Sequence, residues 1–142
     1  MTLSELNPDV ALAALLDGKV KVDVSATESR AITAYAQGKQ PNKSVDDEFL
    51  TVQWNGGARS RSERLGIFQG DLALTVNCKL QTDNTVKTNR VRQIVGECQR
   101  LVHRKRSDGF FFTFNPMNVI TPTTPNLTNG YSTTVLNVEW HT

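Results

Sequence analysis

Between Ile67 and Val102 the apolar residues of this chain change period from two to 3.6, and that change leaves few folds open. Between Ile67 and Leu80, Leu72, Leu74, Val76 and Cys78 occupy alternate positions, with Asp71, Ala73, Thr75, Asn77 and Lys79 between them. Such alternation gives a strand one core face and one wet face. Further on, Val91, Ile94, Val95, Cys98, Leu101 and Val102 recur at steps of three and four, which gathers them onto one stripe of a helix. The strand's apolar face and the helix's apolar stripe are each other's nearest cover, so the spacing predicts a helix packed on a sheet. Asp83 is the expected N-cap, Arg104, Lys105 and Arg106 complement the negative end of the helix, and Ser107-Asp108-Gly109 is expected to close it.

The flanking segments add smaller elements. Asn7-Pro8-Asp9 reads as a helix start, with a cap, a proline in the first turn and an acid near the positive end, and Asp17-Gly18 reads as its stop. Lys19 to Val24 alternates charge with valine, the pattern of a strand with one buried face. Phe49-Leu50-Thr51-Val52-Gln53-Trp54 is aromatic and β-branched and stops at Asn55-Gly56-Gly57, a turn. Ala58 to Arg64 sets Arg59, Arg61 and Arg64 among serines and reads as a solvated loop. Residues 25–48 are mostly polar, with room for a helical turn or two between Glu28 and Gln37. This long excursion has Ile32, Tyr35 and Val45 as anchors if it orders against a neighbouring subunit.

Phe110-Phe111-Phe112-Thr113-Phe114 predicts an aromatic strand with phenylalanines on both faces. A covering helix and the sheet's own core can take them, or Phe110 and Phe112 can serve a subunit interface, where aromatics are enriched. The Pro- and Thr-rich stretch from Asn115 to Asn129 predicts a rigid loop, and Tyr131 to Trp140 a closing strand. The expected fold is therefore α+β: one domain over 1–142, with a mixed or antiparallel sheet of about four to five strands. The sheet packs against one long amphipathic helix, with a short N-terminal helix and long loops near 25–48 and 115–130.

The chain has 142 residues, 38% hydrophobic and 21% charged, an ordinary balance for a globular domain able to bury a core. No run approaches the roughly 20 apolar residues of a membrane helix, and the start lacks a signal-peptide pattern, so the sequence predicts a chain kept in a cytoplasm. Cys78 and Cys98 both fall on inward faces and read as small buried hydrophobes.

Catalytic chemistry has little to work with. His103 and His141 are the only histidines, and neither has a nucleophile or an orienting acid beside it in sequence. No phosphate-cradling loop or metal-ligand spacing is present, so neither cofactor nor metal is expected. The candidate binding constellation is Arg59, Arg61 and Arg64 together with the helical Arg90, Arg100 and Arg104. Its open readings are a solvated helix face, salt bridges to a neighbouring subunit, or phosphate neutralisation. A net charge of only +2 argues against the last.

Phe49 to Trp54, then Asn55-Gly56-Gly57, an arginine-bearing loop, and Asp71 to Cys78 leading into a helix together resemble the tail terminator proteins of long-tailed bacteriophages. The N-terminal helix and the late hairpin match that family in order, while the 25–48 and 115–130 segments depart from it. The resemblance implies a non-enzymatic virion subunit in the tail-neck region that closes into a homo-oligomeric ring, typically a hexamer, at the head-proximal end of the tail tube. Its implied partners are the tail tube protein and the head-tail connector or stopper protein, with DNA passing through the lumen without sequence-specific binding and no membrane. Another head-tail neck or minor capsid component, or a small nucleic-acid-binding module using the arginine loop, are the alternative readings.

Overall fold

A computed structural model describes residues 6–39, 47–55, 59–62 and 66–142. Helix α1 (Pro8–Leu16) is followed by β1 (Lys21–Asp23), β2 (Ser29–Ala31), β3 (Thr33–Tyr35), β4 (Glu48–Trp54), β5 (Arg59–Ser62) and β6 (Ile67–Lys79). Helix α2 (Thr88–Val102), β7 (Lys105–Ser107), β8 (Phe110–Asn126) and β9 (Tyr131–His141) complete the order. Seven strands make one curled sheet in the order β3-β4-β6-β9-β8-β7, with β5 on the edge of β6 that also carries β4. Within it β3 runs parallel to β4 and every other pairing is antiparallel, while β1 and β2 form a separate antiparallel pair.

This corrects the expected sheet of four to five strands against one long helix. The architecture is mostly β, with two helices on a larger sheet. Strand β7 is added, β1 leaves the main sheet to pair with β2, and three further segments depart from expectation. Glu28 to Gln37 forms no helical turns: Ile32 donates its N–H to Val20 O at 2.9 Å and accepts from Gly18 N at 3.1 Å, which locks the chain extended on either side of it. Arg59–Ser62 is a strand against β6, not a loop, and so extends the edge path begun by β4. Asn115 to Asn129 is strand up to Asn126, not a rigid loop. Beyond Phe112 strand β8 pairs with β9 alone among the described residues, and three register shifts interrupt that pairing. An edge position with bulges is where a sheet tolerates proline.

The core lies on the concave side of the sheet. Leu72, Leu74, Val76 and Cys78 of β6 face inward as the alternation predicts, beside Leu136, Val138 and Trp140 of β9 and Phe112 and Phe114 of β8. Val91, Ile94, Cys98 and Val102 of α2 are buried on them, while Val95 and Leu101 flank the stripe half-buried. Burying each large aliphatic side chain fully contributes about 1.5–3 kcal/mol. Helix α1 adds Leu12 and Leu16, and Ser107 Oγ donates to Ala11 O at 3.3 Å, tying α1 to β7.

The ends of α2 also differ from expectation. Asp83 accepts from Thr85 N and Oγ1 in a turn before the helix, and the N-cap position is Lys87, without a side-chain cap. At the other end the helix stops at Val102, and Ser107-Asp108-Gly109 belongs to the β7–β8 hairpin. Asp108 and Gly109 both have positive φ, 50° and 83°, as a two-residue hairpin turn of the primed kind requires.

Trp140 fixes the register at the β6–β9–β8 centre. It meets Trp54 at 5.9 Å and Phe110 at 5.5 Å edge to face, and its ring lies directly over Gly70. A Cβ on Gly70 would stand 2.8 Å from Trp140 Cζ2. The indole is held on its other sides, so Gly70→Ala is expected to destabilise by about 1–3 kcal/mol. Urea unfolding measures it, and an unchanged midpoint would contradict this packing.

Candidate assembly surfaces

The sequence-predicted arginines do not form one patch. Arg64 lies outside the described residues, and Arg59 and Arg61 are described through their backbone in β5. Arg90 points into the molecule: its Nη1 lies 2.9 Å from Glu48 Oε1 and its Nη2 donates to Asp23 O at 3.1 Å. Glu48 Oε2 pairs with Arg30, which also reaches Asp47 at 3.6 Å. The Glu48 side chain is 0% exposed, with Arg90 24% and Arg30 41% exposed. Gln93 Nε2 donates to Asp23 Oδ2 at 3.0 Å alongside. One buried carboxylate therefore joins β2, β4 and α2, and through Arg90 it holds β1. Glu48 has no role in the motif reading, yet it was findable, because its position is in phase with the inward Leu50 and Val52.

Arg100 and Arg104 are on the surface. Arg100 Nη2 pairs with Glu97 Oε2 at 2.8 Å, three residues earlier, and Arg104 follows the helix cap in the left-handed region at φ 58°. Beside them a cavity of about 320 Å³ is lined by Gly96, Gln99, Arg100, His103 and Lys105. The aromatic candidates are placed differently. Phe110, Phe112 and Ile32 are 2%, 0% and 2% exposed, so their surface is taken up in the chain's own core and offers no interface in this fold. The cause is that the even-numbered phenylalanines all face inward. Tyr35 stands half-buried on the convex face, edge-on to Phe49 at 6.2 Å, and Phe49 meets Tyr131 at 5.4 Å. Val45 is outside the described residues, as are Gly56 and Gly57.

The titratable groups are occupied structurally. Phe114 N–H donates to His103 Nδ1 at 3.2 Å, and the His141 ring lies tilted against Phe111 at 4.9 Å with its Nδ1 3.1 Å from Thr142 O. Among the described residues no three His, Cys, Asp or Glu side chains form a metal cradle, and no helix is long and apolar enough to cross a membrane. Cys78 and Cys98 are both buried and free, as their inward phase predicts.

Burial, reinforced by the Glu48 carboxylate, pushes the Cys78 thiol from 9.0 up to about 11, and burial raises that of Cys98 as well. Both stay protonated near neutral pH, and the thiolate is the reactive form. Alkylation of the native protein at pH 8 is therefore expected to be slow, reaching completion only in denaturant. The unfolded thiol loses its proton first as pH rises, so Cys78's contribution to stability is intact below about pH 9 and falls away through about pH 11. Rapid native alkylation would contradict both.

The convex face of the sheet is the remaining surface. Asp71 and Glu139 are register partners on β6 and β9, and with Gln69, Thr113 and His141 they rim a cavity of about 330 Å³. Among the described residues neither carboxylate has an ion-pair partner. Sequence reasoning assigned this face to solvent and so passed over the pair. Compared with protein-family models, curated proteins and solved structures, the chain matches none.

Proposed function

We propose that this chain is a structural ring subunit that caps the head-proximal end of a phage tail tube, ends tube polymerisation and joins the tail to the head connector. The observation that carries the reading is the pair of open sheet edges. Among the described residues, β8 has β9 as its sole strand partner beyond Phe112 on one side, and on the other β3, a three-residue strand, covers only part of β4, with Gln37 Oε1 accepting from Trp54 N at 2.8 Å. Two different open edges give one subunit places to pair with two different neighbours, the tube end and the connector, and a subunit whose sides differ suits the head-to-tail contacts of a ring. Prolines 116, 122 and 125 along β8 withhold backbone donors, so pairing at that edge runs only over short stretches. The element order lends support as well: an N-terminal helix, the β4–β6 pair, a helix on the sheet and a late hairpin follow the order on which the resemblance rests.

The test is electron microscopy of tails assembled without this protein. Overlong tubes lacking heads are the expected result. Tails of normal length joined to heads would overturn the reading.

A further inference from the structure

We infer that successive copies of this chain dock back to front, the outward face of α2 on one copy receiving the Asp71–Glu139 patch on the convex sheet face of the next. This rests on the ring reading and names the surfaces that make the contact. Its first basis is Gly96. A glycine inside an exposed helix costs stability relative to alanine. Among the described residues nothing asks for one here, because a Cβ at Gly96 meets no atom within 4 Å and its φ is not in the left-handed region. An open glycine on a helix face leaves room for a second backbone to come close.

The second basis is charge. Arg92 and Arg100 stand one turn before and one turn after Gly96 on the same face, and Arg104 and Lys105 continue the run past the helix end. All four are exposed, and with Arg100 paired to Glu97 the face stays net positive through Arg92, Arg104 and Lys105. On the opposite side of the sheet, Asp71 and Glu139 sit directly across from each other on neighbouring strands. Like charges so placed destabilise a sheet, and among the described residues no cation relieves them. A basic helix face with a notch and an acidic sheet face on the reverse side of one molecule are complementary when copies stack in one direction. A contact between two different patches is what a ring requires.

The experiment is a charge swap on the full chain, read by sedimentation at low and at physiological salt. One variant carries Arg92→Glu and Arg100→Glu; the other carries Glu139→Lys, alone and with Asp71→Lys so that the exposed single change covers any loss of folding at the half-buried Asp71. The wild type is expected to self-associate measurably at up to about 1 mM, more weakly as salt rises. Each folded variant is expected to associate at least about tenfold more weakly, and the two mixed together to recover association, since each then offers the other a matching face. Gly96→Leu is expected to weaken association by a similar factor while melting no lower than the wild type.

A wild type that stays monomeric at about 1 mM, variants that associate as the wild type does, or a mixture that stays apart would each overturn the inference. If the mixture recovers while tails made without the protein are of normal length, the terminator reading falls and this contact stands. If those tails are overlong while the mixture stays apart, only this contact falls.

Discussion

Ile94→Asp is expected to abolish the cooperative fold. Ile94 is 0% exposed at the centre of the α2 stripe, against the inward faces of β6 and β8. Removing a buried aliphatic side chain costs about 2–5 kcal/mol. An unpaired carboxylate in the same place adds several more, and together they match the roughly 5–15 kcal/mol that holds a domain of this kind folded. The same change at Leu101 should cost much less, because Leu101 is half-buried at the margin of the stripe and an aspartate there can turn to water. Far-UV circular dichroism during heating separates the two. Matching melting temperatures for Ile94→Asp and the wild type would show that α2 does not lie on the sheet as described.

Arg90→Met should cost about 3 kcal/mol without changing the fold. Arg90 binds Glu48 Oε1 and Asp23 O at once, and its loss leaves a fully buried carboxylate with Arg30 as its remaining strong partner. Breaking one side of a buried pair costs more than the pair contributes, because the surviving charge stays desolvated. Glu48→Leu combined with Arg90→Met is therefore expected to recover most of the loss, and Arg90→Lys to fall between, since a lysine cannot bridge both acceptors. Urea midpoints at constant slope measure all three. If Arg90→Met lay within about 0.5 kcal/mol of the wild type, a value typical of an exposed pair, Glu48 would not be holding β1, β2 and α2 together.

What could be read from the sequence was whatever a strong local pattern specifies. The inward set of β6 and the buried set of α2 follow from period alone, as does the inward placing of both cysteines. Residues 28–37 misled because their few apolar side chains fit a helical spacing as well as a strand, and the hydrogen bonds that decide it, Ile32 N–H to Val20 O and Gly18 N–H to Ile32 O, involve residues outside the segment. Residues 115–126 misled because proline usually ends a strand, and the tertiary fact that β8 has one strand partner there among the described residues makes three prolines tolerable. Asp108-Gly109 carried a hairpin signal that the helix reading absorbed.

At the surface the same division holds. Arg100 is exposed as helix phase predicts, Arg104 is exposed but lies past the end of α2, and Arg90 turned inward because a buried acid two strands' sequence away attracts it. Nothing in the local pattern marks Arg30 as that acid's second partner. Phe110 and Phe112 read as core first with a subunit interface as the alternative, and the choice was made by Trp140, which the fold brings edge-on to Phe110. Long-range pairing, not propensity, settled each of these positions.

The most direct measurement is a cryo-electron microscopy reconstruction of intact particles at the junction between tail tube and head. The account predicts one closed ring of this chain at the head-proximal tip of the tube, its copies joined head to tail around a central passage. Density for the chain along the length of the tube, inside the capsid, or nowhere in the particle would contradict it.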